Sequence, residues 1–220
     1  MCGRITQKSP PSQLGLKIVD LVEEELDAPP RYNGAPGQEH WVIRQHPETG
    51  KRVLSRLTRG LIPHWVKEAS PKLKPVNATA ERVASAPMFR GAYAKRRCII
   101  PIDNYFEWRA IKGSKAKQPY AIGLKSGEPV GIGGLWESWK HPATSIVHRT
   151  FCVITTTPNG LVSEIHYRMP LILPPEAYDR WLAAIEPDPR DLLVPFPSEL
   201  IQIWPISTRV PSLQMTIPKS

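Results

Sequence analysis

Apolar positions alternate with polar ones through most of this chain, and few stretches show helical spacing. A short strand over 3–7 (GRITQ) opens it. Residues 12–30 then read as a helix, with Ser12 as N-cap, apolar residues at Leu14, Ile18, Leu21 and Val22, and Pro29–Pro30 as the stop. HWVIRQH (40–46) and KRVLSRLTR (51–59) alternate as strands do, and the intervening PETG marks a hairpin. NATAERVAS (77–85) and MFRGAYAK (88–95) predict short helical turns. From residue 97 onward β-runs follow closely: RCIIPI, YFEWRA, PYAIGL, PVGIGGLWE and RTFCVITTT. A proline-initiated amphipathic helix over 174–185 and a last strand over 199–206 complete the pattern. With 25 prolines and 14 glycines punctuating the elements and no convincing linker, the expectation is one α+β domain over residues 1–220. Its centre should be a barrel-like, mainly antiparallel β-core flanked by helices.

Composition narrows the function. Hydrophobic content of 41% and charged content of 22% suit a soluble globular protein. Neither a membrane-length apolar run nor a signal peptide is visible, which leaves the chain in the compartment where it is made. That is the cytoplasm, beside the nucleoid in a bacterium, or the nucleus in a eukaryote. Three widely spaced cysteines fit neither a disulfide framework nor a zinc site. Cys98 and Cys152 sit inside apolar β-runs and read as small buried hydrophobes. The formal charge of +9 favours a polyanionic partner, and without a basic tail any nucleic-acid site must be a folded groove.

Four places carry candidate chemistry. Cys2 follows the initiator methionine and becomes the first residue once Met1 is trimmed. It then bears both a free amine and a thiol. An aldehyde meeting that pair can form a Schiff base with the amine, and the thiol can add to the imine to close a five-membered thiazolidine. The second step gains from reactants already joined. Acyl transfer, with the amine as base for its own thiolate, is the other use of such a terminus. Glu107 lies between Phe106 and Trp108, in a run otherwise apolar and aromatic. On the inner face of a β-core its carboxyl would be desolvated and usable as an acid or base. An exposed strand glutamate is the ordinary alternative. His166 and Arg168 stand two apart, so on an extended segment a proton shuttle and an anion clamp share one face. Asn77 reads locally as a helix N-cap. Trp65, after the proline turn GLIPHW, suits core packing, although a loop aromatic on a basic protein also fits single-strand binding.

The order of the motifs says more than any one of them. MCGR at the start, RYNGAPG (31–37), GLIPHW (60–65), NATAER (77–82), RCIIPIDNYFEW (97–108), GLWESW (134–139), TTTPN (155–159) and IHYRMPLIL (165–173) together resemble the SOS response-associated peptidase (SRAP) family. Members of that family crosslink to abasic sites in single-stranded DNA. The resemblance implies a barrel-like fold with a basic channel for single-stranded DNA; no cofactor or metal is expected, and nothing in the sequence demands more than a monomer. It makes Cys2 the nucleophile, Asn77 a holder of the N-terminus or sugar, Glu107 a proton carrier, and His166 the group that protonates the sugar ring oxygen or assists reversal. Arg4 and Arg168 would contact phosphates and Thr155 would add a hydrogen bond. Trp65 and Arg82 complete the expected DNA contacts. Two positions depart from the pattern. Thr79 replaces a frequent arginine, whose contact Arg82 could supply from a nearby turn. Arg59 stands where a tryptophan commonly precedes GLIP, which removes a stacking surface. The competing readings are an N-terminal-cysteine amidohydrolase or peptidase and a non-covalent single-strand-binding module.

Overall fold

The computed structural model describes residues 3–23, 29–68, 74–183 and 186–209. Two sheets build the fold. In the smaller, the order is β14 (Ile201–Pro205), β9 (Lys117–Leu124), β8 (Asn104–Ala110), β1 (Arg4–Gln7) and β3 (Arg31–Gly34), with every neighbour antiparallel. The larger runs β12 (Met169–Pro170), β11 (Val147–Thr156), β10 (Val130–Lys140), β7 (Arg97–Ile102), β4 (Glu39–Gln45), β5 (Arg52–Arg59) and β2 (Leu21–Val22). β5 also pairs back onto β11 in parallel, Thr58 against Thr150 and Arg59 against Phe151, which shuts this sheet into a barrel. Beyond that seam, β6 (Asn77–Thr79) lies parallel on the same edge of β11, whereas β12 and then β13 (Ile172–Leu173) run antiparallel on the opposite side, between the ends of β11 and β10. The expected α+β architecture with a barrel-like, mainly antiparallel core is therefore present, and its closure is parallel.

The barrel strands are apolar because they face packed groups on both sides. Every residue of β7 is buried, and the first eight of β10 are as well. One cluster, including Val42, Ile100, Tyr105, Ile132 and Phe151, fills the space between the sheets. A second, around Ile43, Leu54, Leu135, Leu171 and Trp181, packs the barrel against the surrounding short helices. Cys98 and Cys152 are fully buried, and burial raises both thiols above their ordinary range.

Three helical expectations change. The helix over 12–30 is one turn, α1 (Pro11–Leu14), ended at Gly15 and followed by Leu16 and Lys17 with φ of 50° and 58°. Leu21 and Val22 then join β5 as β2, because strand pairing across 32 residues outweighs local helix propensity. The stretch at 77–85 splits: Asn77 begins β6, and α2 (Ala80–Val83) starts after Thr79, so Asn77 is not an N-cap. The late helix is a 3₁₀ turn leading into α5 (Tyr178–Leu182). It ends where the Arg97 guanidinium donates to the carbonyls of Trp181 at 2.7 Å and Ala183 at 2.6 Å. The other helices are α3 (Arg90–Lys95) and α4 (Gly160–Ser163), the latter capped by the Asn159 side chain accepting from Val162 N–H at 2.9 Å.

Gly134 on β10 is a point of close approach in the barrel wall. A Cβ there would lie 2.4 Å from Ile100 Cδ1 and 2.6 Å from the Cys152 carbonyl oxygen, and the second contact is backbone that cannot swing aside. Gly134→Ala should therefore lower the unfolding free energy by about 1–3 kcal/mol, as overpacked cores do. Urea denaturation against wild type measures it, and an unchanged midpoint would contradict this packing.

Candidate functional site

Strand register brings the start of the chain to Glu107. Arg4 pairs with Phe106 and Ile5 with Tyr105, so the next residues outward, Gly3 and Glu107, come side by side. Alternation turns Glu107 to the same face as Tyr105, into the space between the sheets, and its exposure is 2%. Burial raises its carboxyl from 4.5 to about 7, against the pull of nearby positive charge that includes Arg59. At neutral pH both protonation states are populated, so one group can accept a proton and return it.

His166 faces this carboxyl. It follows α4, whose last turn accepts the His166 N–H at the Val162 carbonyl, 2.9 Å away. The Arg168 main chain fixes the ring through Nδ1, 3.0 Å from its N–H and 3.1 Å from its carbonyl oxygen. That leaves Nε2 directed at Glu107 Oε2, 4.0 Å away. Burial and neighbouring positive charge, Lys117 included, lower the imidazole below its usual range and favour the neutral ring. Tyr167, itself 70% exposed, stacks on the imidazole at 4.4 Å between ring centroids.

Arg59 links this pair to Asn77. Its guanidinium is buried at the barrel seam, with Nη1 3.4 Å from the Gly3 carbonyl and Nη2 3.4 Å from Asn77 Oδ1. From Asn77 a cleft of about 420 Å³ opens outward along Thr79, Arg82, Phe89 and Trp65. Trp65 is 56% exposed, so the core-packing expectation for it does not hold. Thr79 and Arg82 line the same cleft, one turn of chain apart.

The other candidates divide. Arg4 is half-buried and donates to Asn33 Oδ1 at 3.0 Å, which keeps its charge uncompensated by that neutral partner. Arg168 is held on both terminal nitrogens by Glu81, at 2.8 and 2.9 Å, and also donates to the Thr155 carbonyl. Thr155 corrects its expected role: fully buried, its hydroxyl donates to the Ala78 carbonyl at 3.3 Å and ties β6 to β11, so it offers no surface for a DNA contact. Cys2 lies outside the described residues. Sequence reasoning missed Arg59 as a site residue and Glu81 as the partner of Arg168. The signal for Arg59 was parity, since it shares its face of β5 with buried Leu57 and Ser55. Among the described residues no cluster of His, Cys, Asp or Glu could hold a metal ion, and no helix is long and apolar enough to cross a membrane.

Comparison with known proteins bears on the family and the fold. The family model described as "SOS response associated peptidase (SRAP)" matches residues 1–213. A Bacillus subtilis protein named "Abasic site processing protein YoqW" is 34% identical over all of this chain and 98% of its own length. The chicken protein "Abasic site processing protein HMCES" is 28% identical over 86% of this chain and 65% of its own. In structure, a crystallised protein from Bacteroides thetaiotaomicron superposes with a TM-score of 0.81 at 25% identity, covering 94% of this chain and 93% of that one.

The raised Glu107 carboxyl has a cost that pH exposes. Between about pH 4.5 and 7 the folded chain retains a proton that the unfolded chain has released. Stability therefore falls as pH rises through that window and stays low above it. Glu107→Gln should remove this slope and stabilise the protein above pH 7 by roughly 1–3 kcal/mol. Denaturant titrations across the window test it; parallel pH profiles for the two proteins would refute it.

Proposed function

This chain belongs to the SRAP family, and on that premise we propose that it captures abasic sites in single-stranded DNA by building a thiazolidine on Cys2. The observation that carries the reading is buried Glu107 facing half-buried His166 at 4.0 Å, beside Gly3 at the start of β1. Cys2 is one peptide bond from Gly3, so its Cα lies about 3.8 Å from that of Gly3. Removal of Met1 would deliver a free amine and a thiol at the edge of this pair.

The reaction balances without redox chemistry. Glu107, as carboxylate, takes a proton from the Cys2 ammonium, and the free amine attacks C1 of the ring-opened deoxyribose aldehyde. His166 relays a proton to the ring oxygen while regaining one from the C1 hydroxyl as the ring opens, so the step leaves its charge unchanged, and the same relay runs backward on reversal. The new C–N bond becomes an imine as the carbonyl oxygen leaves in water, with protonated Glu107 as the acid. The thiol sulfur then bonds to the same carbon, and its proton passes to the nitrogen. Asn77 holds the terminus or the sugar against this pair. An abasic nucleotide has no base to unstack, so bringing it inward costs less than flipping an intact one.

The cleft from Asn77 to Trp65 suits the strand. Trp65 offers a ring for a neighbouring base, and Arg82 and Arg4 offer cations to phosphates. Arg82 then does the work of the arginine that Thr79 replaces. A pocket that protonates an imine also allows slow reversal, and trimming of Met1 is the one peptide-bond cleavage this reading requires.

A denaturing gel tests the reading. Processed protein, with loss of Met1 confirmed by mass, is mixed with single-stranded DNA carrying one abasic site, beside intact DNA and Cys2→Ala. A covalent band that needs both the abasic site and Cys2 is expected. Its absence from folded, processed protein would sink the reading, and equal salt-sensitive binding to both DNAs would then favour a non-covalent module. Arg82→Ala should also weaken binding of intact single strands and flatten the log–log salt slope by about 0.7, one phosphate contact. An unchanged slope would remove Arg82 from the interface.

A further inference from the structure

A buried arginine at the end of a barrel strand needs a reason. Arg59 is 1% exposed. Taking a guanidinium out of water costs several kcal/mol before any interaction is regained, and an apolar residue of similar volume is commonly as stable or more so. Two of the groups its fork reaches are oxygens at 3.4 Å. What distinguishes them is where they sit. One is the Gly3 carbonyl, the first described residue before β1, and the other is the side chain of Asn77.

We propose that Arg59 is a positioning residue for the capture reaction, fixing the start of the chain against Asn77 and supplying the positive charge under which the terminal amine and Glu107 exchange a proton. The inference rests on the capture reading. Geometry gives it two parts. The planar fork of an arginine reaches two acceptors on different strands at once, which a lysine ammonium does with less definition. Its charge also reaches beyond those acceptors. It favours the deprotonated form of Glu107 and of the Cys152 thiol, and it adds to the burial that holds His40 neutral, at about 3. Among the described residues the titratable or charged groups facing Glu107 are His166 from the segment after α4, Arg59 from β5 and Tyr120 opposite on β9; the capture reading adds the amine of processed Cys2. Lys117 on β9 acts on His166.

The sign is the same for both reacting groups. Removing a positive charge makes every neighbour easier to protonate, the carboxylate and the amine alike. Each must lose its proton for attack to begin. Loss of Arg59 therefore moves the acid limb of the reaction to higher pH, whichever group governs it.

The experiment is single-turnover crosslinking of processed wild type, Arg59→Met and Arg59→Lys to abasic single-stranded DNA across roughly pH 5 to 9, a range spanning the reference values of both groups. Arg59→Met should react about tenfold more slowly at neutral pH, with its limb about one unit higher and its rate recovered in alkali. Arg59→Lys should keep the wild-type limb at reduced amplitude. A limb unmoved in Arg59→Met, or equal shifts in both variants, would overturn the proposal. Carbon-13 NMR titration of Glu107 in the same proteins does not depend on capture: its midpoint should rise in Arg59→Met and stay in Arg59→Lys, and no rise overturns the proposal even if wild type forms no crosslink. Arg59→Gln replaces the methionine variant if that one does not fold. A wild type that forms no crosslink while the Glu107 midpoint still rises would remove the capture reading and leave the charge role of Arg59 standing.

Discussion

Everything at the site depends on the parallel seam where β5 closes onto β11. Thr58 and Arg59 occupy the edge of β11 only at Thr150 and Phe151, and the edge beyond them stays open. β6 takes Val153–Thr155 on that edge, while β12 pairs with Thr155 and Thr156 on the opposite edge, beside β10. Arg59 and Asn77 are thus ordered along one edge of β11, and the segment carrying His166 and Arg168 leads into the strand on its other edge. Glu107 arrives from the other sheet, carried by the same register that places Gly3. Had the barrel closed in antiparallel fashion or one residue out of step, Arg59 would face the opposite side and reach neither Asn77 nor the chain start.

That arrangement concentrates unfavourable burial in one place. A carboxyl raised to about 7 and a guanidinium at 1% exposure each weaken the fold when considered alone. In low dielectric they interact more strongly than they would in water, so part of each cost is offset by the other. The apolar clusters on either side of the barrel wall supply the stability that tolerates the remainder. A charge change at one member is therefore felt by the rest, which makes Arg59, Glu107 and His166 a unit rather than three separable residues.

The parts of this organisation that local sequence could reveal are those with a local cause. The β-runs from 97 to 156 fall close to their expected bounds because each holds an apolar, β-favouring stretch bounded by turns. Glu107 stood out as a carboxyl in an aromatic run, though only the paired strands decide that it faces inward. What sequence hid is non-local. No pattern near Leu21 and Val22 announces a strand partner at Val53 and Leu54, and helical spacing pointed the other way. Asn77 looked like a cap because a helix does begin three residues later, while its own backbone is committed to β11. Thr155 carried the right motif yet is buried beneath β6, since a motif fixes order along the chain and not which atoms remain accessible.

The 29 lysines and arginines also overstate the cations available to a ligand. Arg44 is spent on Glu23 and Arg96 on Glu137, and Arg168 is clasped by Glu81 on both terminal nitrogens. Arg4 and Arg82 differ: the first has a neutral partner and the second stands exposed at the cleft. On the capture reading, a strand is first drawn by these less compensated cations and by Trp65. A phosphate that goes on to Arg168 must displace Glu81, exchanging one anion for another at little net electrostatic gain. Binding strength then comes from the open cleft. The Arg168 clasp keeps the His166 segment ordered in the meantime, and the proton-transfer pair stays formed whether or not a strand is bound.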